Sequence, residues 1–355
     1  MDNTAVVVGA GFSTAAGLPS TAELLDGFID ATIDDGSIGV LRPEISAHLQ
    51  AFWRAVFGWN ATKRPPTFED HFTAIDLAAN TGHQLGAFYT PARLRAIRRL
   101  SLHRVFETLD KRFSLNADIL KLIVALTGGA NNSVVSTNWD IVVERHCREA
   151  NKRFNYGVPM EQIGGGVVGS SGLRVLKLHG SSNWCYCDTC RRLFAYSTMD
   201  GKGTLKDWVF LEQRDFEALQ DAKATNELSL YRDLVVNEPK CTHCGVRLST
   251  RVATFSFDKA LGFYQFHGVW EEALRQLRSA NRWIFIGYSL PEADFELRHL
   301  LKTAQLAGQA NRKLEIEVVL REDLGPRERF ERFFGSRLSA VFTQGFEAWA
   351  ASLPT

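Results

Sequence analysis

The chain has 355 residues and a mass of 39.7 kDa, with 45% hydrophobic and 23% charged residues. This composition is typical of a globular protein with one large domain or two unequal ones, and it excludes a mostly disordered, collagen-like or coiled-coil protein. The 41 basic and 40 acidic side chains nearly cancel, so nucleic acid is not expected as a direct partner.

The sequence also indicates where in the cell the protein is located. Its apolar runs are shorter than the ~20 residues that span a bilayer, and residues 1–4 lack the basic start of a signal peptide. The six cysteines are too few for a disulfide scaffold. We therefore expect a cytoplasmic protein without a membrane segment.

Short β-branched runs without polar alternation mark the predicted strands. The first run, at residues 5–8, leads directly into a glycine-containing turn. Such runs are typical of strands buried on both faces of a parallel sheet. Further strands are predicted at 133–136, 174–178, 283–287, 314–320 and 339–343, and helices between them include 270–280 and 295–307. The alternation predicts an α/β fold with a Rossmann-like, doubly wound, mainly parallel sheet.

Two stretches interrupt this alternation. Residues 20–130 favour helix and are predicted to be a helical insertion, and residues 184–250 are predicted to be a small zinc-binding module. The remaining residues, 1–183 and 251–355, then form one Rossmann-type domain that contains the helical insertion. A basic cluster within the insertion has the pattern of a solvated face or of a docking surface, at Arg93, Arg95, Arg98, Arg99 and Arg104.

Paired cysteines carry the strongest single motif. The two Cys-x-x-Cys pairs are Cys187 with Cys190 and Cys241 with Cys244. Four thiolates on two knuckles suit tetrahedral Zn²⁺, so structural zinc is favoured over a redox pair. Cys185 and His243 are close enough along the chain to be substitute ligands.

Polar residues follow several predicted strands, at the edge where parallel sheets bind their ligands. Asn138 and Asp140 follow one strand, and His179 follows the next; an imidazole is the commonest general base. Glycines at 9 and 11 let a backbone approach a pyrophosphate, although the third glycine falls too late for the dinucleotide fingerprint. Each group alone also fits a structural role, as a tight turn, a helix cap or a hydrogen-bonded histidine.

In this order, the motifs resemble the sirtuin (Sir2-like) family: residues 9–13, 16–19, 137–140, 178–181 and 286–290, together with the paired cysteines. The resemblance implies an NAD-binding Rossmann-type domain beside a zinc module, with chemistry at the bond between nicotinamide and ribose. It implies that Asn138 and Asp140 hold the ribose, the carboxamide and the attacking water, and that His179 is the base. It implies that Ala10, Gly11 and Ser13, with Gly9 in the same cofactor-binding turn, line the phosphates and ribose, and that Gly287 with Ser289 supports the adenosine half.

Three departures from deacylase sirtuins fall on the peptide side of the implied site. Residues 20–22 read Ser-Thr-Ala where deacylases carry Asp-Phe-Arg, and residues 255–258 read Phe-Ser-Phe-Asp in place of a Phe-Gly-Glu strand region. The helical insertion is also far larger than a deacylase cofactor loop.

This pattern is similar to the Sir2-like effectors of bacterial anti-phage defence. That similarity implies an NAD glycohydrolase that forms nicotinamide and ADP-ribose. It also implies assembly or a partner, and we predict homo-oligomerisation together with a separately encoded partner, for which an ATPase of the DNA-translocase type and an Argonaute-like sensor are candidates. A protein deacylase and a non-catalytic NAD or ADP-ribose sensor remain as alternatives.

Overall fold

The computed structural model describes residues 1–28, 42–163, 168–196, 215, 218, 219, 239–250, 252, 266–307, 313–321 and 324–353. The strands are β1 (Thr4–Val8), β2 (Ser133–Ser136), β3 (Phe154–Asn155), β4 (Glu161–Gln162), β5 (Leu173–Lys177), β6 (Trp184–Cys187), β7 (Arg192–Ala195), β8 (Ser249–Thr250), β9 (Arg282–Ile286), β10 (Glu315–Val319) and β11 (Ala340–Phe342). The helices are α1 (Ala10–Ser13), α2 (Thr21–Phe28), α3 (Arg42–Phe57), α4 (Phe68–Thr81), α5 (Pro91–Arg112), α6 (Ala117–Gly128), α7 (Val142–Glu149), α8 (His267–Ser279), α9 (Phe295–Ala307), α10 (Leu324–Phe334) and α11 (Gly345–Ala351).

Seven parallel strands form the central sheet, in the order β11-β10-β9-β1-β2-β5-β3. Strand β1 lies in the middle and is buried along its whole length, as its run of β-branched residues requires. The predicted α/β fold with a Rossmann-like parallel sheet is confirmed. Among the described helices, none combines the length and the apolar character needed to cross a bilayer.

The strand order reverses beside β1. The chain proceeds from β1 to β2 and β5 on one side, and it later returns through β9 and β10 on the other. A crevice forms at such a reversal, outside the carboxyl ends of the strands, and it is the usual ligand site of open α/β sheets. The loops after β1, β2, β5 and β9 all leave from this edge.

A second, four-stranded sheet has the order β4-β7-β6-β8. Its β6 and β7 form an antiparallel hairpin in which Cys187 lies opposite Arg192. Strand β8 pairs with the other edge of β6 and brings the chain back after the second cysteine pair. This sheet is the frame of the predicted zinc module.

Two hydrophobic cores organise the described residues. The first lies between the central sheet and its covering helices, and α6 contributes Ile119 and Leu122 to it. The second contains side chains of α2 to α5, such as Trp53 and Phe106, together with Phe194 of the zinc module. The helical region and the zinc module are therefore packed around one shared core rather than around separate ones.

The basic cluster of α5 differs from the solvated face that its sequence suggests. Arg104 is fully buried, and Arg93 is buried and donates to the Leu219 carbonyl oxygen at 2.6 Å. Arg98 pairs with Asp76 at 2.7 Å, and Arg99 pairs with Asp215. The guanidinium groups thus mainly form intramolecular contacts that stabilise the fold, because they bind acidic side chains and carbonyl groups that are distant in sequence.

A buried histidine lies at the centre of the second core. His71 Nδ1 accepts a hydrogen bond from Trp53 Nε1 at 2.8 Å, so Nε2 carries the proton that faces Ser101 Oγ, also at 2.8 Å. The rings of Phe28, Phe52 and Phe72 surround the imidazole within 5.4 Å between centroids. Burial lowers the pKa of His71 to about 3.

Acid is expected to destabilise the protein through His71. The pKa of this histidine in the folded protein lies below its usual 6.5, so the unfolded chain takes up the proton first. The stabilising contribution is therefore present above pH 6.5 and is lost as the pH falls towards about 3, at up to about 1.4 kcal/mol per pH unit. Urea unfolding at a series of pH values should show that the free energy of unfolding depends less steeply on pH in His71→Asn than in the wild type. The exposed His83→Asn control should keep the wild-type slope, and equal slopes in all three proteins would contradict the expectation.

Candidate active site

The loops after β1 and β9 form one wall of the crevice. Gly9 N donates to the Ile286 carbonyl oxygen at 3.2 Å, and Gly11 N donates to the Gly287 carbonyl oxygen at 2.9 Å. Ala10 and Gly11 are exposed at the start of the short helix α1, which follows β1 directly. The structure therefore places the glycine turn predicted from the sequence directly beside the turn that follows β9.

Polar side chains from two of these loops form a continuous hydrogen-bonded chain. Asn138 Nδ2 donates to the Gly9 carbonyl oxygen at 2.8 Å and to Ser13 Oγ at 3.0 Å. Ser13 Oγ in turn donates to Asp140 Oδ2 at 2.7 Å. Asp140 Oδ1 accepts from Val142 N, the first residue of α7, at 3.0 Å, while the N-cap position itself is Ile141. Ser13 thus meets two predicted site residues, Asn138 and Asp140, that lie 125 and 127 positions away.

His179 follows β5 and lies against the same loop. Its Nδ1 is 3.1 Å from the Thr137 carbonyl oxygen, which can only accept, so Nδ1 carries the proton and Nε2 is the basic nitrogen. Nε2 is 3.7 Å from Asp294 Oδ1, and Tyr288 donates to the other oxygen of that carboxylate at 2.7 Å. The Thr137 contact therefore favours the proton on Nδ1, and Nε2, which is itself buried, faces the Asp294 carboxylate.

Gly287 allows the two loops of the crevice wall to approach each other. Its φ is +61°, a left-handed conformation that favours glycine, and a Cβ atom there would lie 2.0 Å from Phe12 N. Ser289 is exposed, and its carbonyl oxygen accepts from Arg329 Nε at 2.8 Å. Both residues that the sequence assigns to the adenosine side thus lie on the loop that packs against Gly11.

Gly287→Ala is expected to destabilise the protein by about 3 kcal/mol and to separate the two loops. Two costs add up, because alanine is strained in the left-handed conformation and its Cβ atom would clash with the backbone of the neighbouring loop. Gly58→Ala is a matched control, since Gly58 has the same φ of +61° with open space around it. The control should be destabilised only by the left-handed strain, by about 1–2 kcal/mol. Urea unfolding of both variants compares the two losses, and equal losses would contradict the close approach.

A small cavity lies beside Asp140, on the side of α5. Its walls come from α5, from α7 with the residues before it, and from the loops after α1 and after β5, and they include Leu18, Phe106, Leu109, Ile141 and Ser182. The cavity has a volume of about 20 Å³, which is room for about one water molecule. A side chain of the helical region, Phe106, therefore reaches the candidate site.

The four predicted zinc ligands meet in the second sheet. The sulfur atoms of Cys187, Cys190, Cys241 and Cys244 lie within 4.8 Å of one another, and those of Cys187 and Cys244 are 3.5 Å apart. In a tetrahedral Zn–S₄ centre with bonds of ~2.3 Å, the sulfur atoms are roughly 3.8 Å apart. The donor set and its spacing therefore fit structural zinc.

The two substitute ligands are placed elsewhere. Cys185 is buried outside the four-sulfur group, and burial raises the pKa of its thiol to about 12. The imidazole of His243 faces Glu161, with Nε2 2.7 Å from a carboxylate oxygen. Both residues are thus engaged in packing or polar contacts around the cysteine group.

Sequence reasoning missed three residues around His179. Asp294 faces its Nε2, Tyr288 orients Asp294, and Trp270 Nε1 donates to the Leu178 carbonyl oxygen at 2.9 Å. Tyr288 lies inside a motif that the sequence had singled out, between Gly287 and Ser289, and Asp294 follows it by six positions. Their proximity to His179 depends on the adjacency of the strand-end loops, which no local pattern encodes.

No family model matches the chain, and no curated protein matches it. Solved structures of Sir2 proteins do match. One is a Sir2 complex with a p53 peptide and NAD⁺, 14% identical, covering 98% of this chain and 90% of that chain with a TM-score of 0.43. A mutant Sir2 homologue with ADP-ribose is 16% identical and covers 99% and 89%, with a TM-score of 0.44. A Sir2 homologue with NAD is 16% identical and covers 99% and 87%, with a TM-score of 0.39.

Proposed function

We propose that this protein is an NAD⁺ glycohydrolase, which cleaves NAD⁺ with water to nicotinamide and ADP-ribose. The observation that carries the proposal is the hydrogen-bonded chain from Gly9 through Asn138 and Ser13 to Asp140, with His179 held against the same loop. A carboxylate, an amide and an oriented imidazole are thereby gathered at the strand-order reversal of a Rossmann-like sheet.

The chemistry of the reaction requires groups of these kinds. When the bond between nicotinamide and ribose breaks, nicotinamide leaves with the electron pair and the sugar becomes oxocarbenium-like. The Asp140 carboxylate and the Asn138 amide supply fixed negative charge and dipoles near the cationic sugar. Water adds to the anomeric carbon, and His179 Nε2 takes the proton that this water releases.

The other wall of the crevice suits the diphosphate and adenosine part of the substrate. Ala10 and Gly11 are exposed at the start of α1, and Gly287 carries no side chain that would separate this turn from the one after β9. We therefore assign Gly9 to Ser13 to the phosphates and Gly287 with Ser289 to the adenosine half.

Water rather than an acylated lysine is the proposed acceptor. The cavity beside Asp140 has room for about one water molecule, and side chains of α5 such as Phe106 and Leu109 line it. The region that distinguishes this sequence from deacylases thus contributes directly to the space around the candidate carboxylate. Residues 255–258, where deacylases pair with peptide, lie outside the described residues.

The proposed biological role is depletion of NAD in an infected bacterial cell. Such an effector must stay inactive until infection, so we propose a cytoplasmic homo-oligomer that acts with a separately encoded partner, such as an ATPase or an Argonaute-like sensor. The prediction fails if the protein is monomeric at micromolar concentration and fully active alone.

Nicotinamide release from NAD⁺ by the purified chain tests the function. The assay is run with and without an acetyl-lysine peptide, and with His179→Ala as the control. Release that depends on His179 but not on peptide supports the hydrolase. Release that requires the peptide identifies a deacylase. NAD⁺ binding without turnover under any activating condition identifies a sensor.

A further inference from the structure

A buried lysine lies directly behind the proposed active-site loop. Lys177 is the last residue of β5, and its side chain is only 1% exposed. Its Nζ donates to the Asp140 carbonyl oxygen and lies 3.7 Å from Glu144 Oε1, on a side chain that is fully buried. A buried ammonium group requires such partners, because burial without them strongly disfavours the charge.

Lys177 is one of four residues at and after the end of β5 that contact carbonyl groups of the loop after β2; one of them, Ser181, donates from Oγ to the Trp139 carbonyl oxygen at 3.5 Å. His179 Nδ1 contacts the Thr137 carbonyl oxygen at 3.1 Å, and Ser182 N donates to the Trp139 carbonyl oxygen at 2.7 Å. Lys177 completes this set at the Asp140 carbonyl oxygen. The carbonyl groups at positions 137, 139 and 140 are thus held by residues 177–182, and among these four residues it is Lys177 that contacts Asp140.

Glu144 and Tyr156 form the rest of the buried environment. Burial raises the pKa of Glu144, and the nearby charge of Lys177 opposes that shift. Burial and, after it, the charge of Glu144 raise the pKa of Tyr156, whose hydroxyl accepts from Asn183 Nδ2 at 2.8 Å. The contact from Lys177 to Asp140 is therefore enclosed by protein on the side away from the crevice.

We propose that Lys177 is a positioning residue for Asp140, holding the backbone of that residue so that its carboxylate stays aligned with Ser13 and Asn138. The catalytic consequence of this alignment rests on the function proposed above. The alignment itself is a property of the fold and can be tested without turnover. A carboxylate that must face a charge formed only in the transition state loses effect when it moves by about 1 Å, and such a displacement can lower a rate by about 10²-fold.

Three full-length variants separate positioning from stability. Lys177→Met leaves the Glu144 carboxyl buried without its cation, and we expect its Tm to fall by about 5–10 °C. Lys177→Met combined with Glu144→Gln removes both charges and should recover most of that loss. Glu144→Gln alone leaves the Lys177 ammonium buried without its anion, so its Tm should fall as well, but it keeps the Lys177 contact with the Asp140 carbonyl oxygen.

The decisive measurement combines nicotinamide release with hydrogen exchange of residues 137–142. In the double variant we expect kcat to fall by about 10²-fold with KM within threefold of wild type, and amide exchange of this loop to accelerate. Glu144→Gln should keep kcat within a few-fold and retain loop protection. A double variant with wild-type kcat and wild-type protection would overturn the proposal.

Failure of the proposed function has a different signature. If wild type releases no nicotinamide under any activating condition, the hydrolase proposal fails, whereas the exchange of residues 137–142 still decides the role of Lys177. Faster exchange in the folded double variant then supports positioning, and unchanged exchange contradicts it.

Discussion

Removal of zinc is expected to unfold the helical region as well as the cysteine module. Cys241→Ser leaves three thiolates at a site whose sulfur atoms lie within 4.8 Å of one another. Structural zinc sites supply about 10–16 kcal/mol to small zinc-binding peptides, so the module should lose its fold without the ion. Because Phe194 and Leu248 of the module pack in the same core as Phe106 of α5, the loss should extend into the helices.

Zinc content, thermal unfolding and hydrogen exchange check this expectation. The wild-type chain should hold about one zinc ion, and Cys241→Ser or a chelator should lower both the zinc content and the Tm. Amides of residues 91–112 should then exchange faster. Cys185→Ala is the matched control, because Cys185 is a buried thiol on the same strand as Cys187 but outside the four-sulfur group.

The control variant should bind zinc normally and lose only a few degrees of Tm. If α5 keeps its protection after chelation, the two regions are energetically independent despite their shared core. If Cys185→Ala loses zinc as Cys241→Ser does, the ligand set is wrong.

Local pattern was sufficient for six of the seven strands of the central sheet. Strand β2 has the predicted bounds of 133–136, and α9 has the predicted bounds of 295–307. Runs of β-branched residues without alternation have one stable environment, a strand covered on both faces, so burial and secondary structure are encoded together. The very short strands β3 and β4 were missed, because two residues carry no periodicity.

Long-range packing explains what local pattern could not predict. A stretch of arginines on one helix is typical of a solvated face, yet the partners of Arg98 and Arg99 lie 22 and 116 positions away. The same holds for the candidate site: Asn138 and Asp140 were found as polar residues at a strand end, but Asp294 near His179 was not. Lys177 lies in a predicted strand, and only the structure reveals its burial and its contact with Asp140.

His179→Ala is expected to reduce nicotinamide release by about 10²–10⁴-fold, the range that positioned general bases contribute. Its imidazole borders the crevice, with 11% of the side chain exposed, and its hydrogen bond to the Thr137 carbonyl oxygen is one of several that hold that loop. The Tm should therefore change little. His299→Ala is the matched control, since His299 is exposed on α9 and should leave both turnover and Tm unchanged.

Asn138→Ala is expected to have an effect of similar size for a different reason. Asn138 links the Gly9 carbonyl oxygen to Ser13 Oγ, and Ser13 in turn holds Asp140, so truncation removes the amide and loosens the carboxylate together. In the double variant with His179→Ala, the fold-loss of activity should be much smaller than the product of the two single losses, because the effects of residues that act as one unit are not additive. Steady-state nicotinamide release by both single variants and the double variant measures this coupling. Full activity in either single variant would remove that residue from the site, and strictly multiplicative losses would mean that the base and the carboxylate chain act independently.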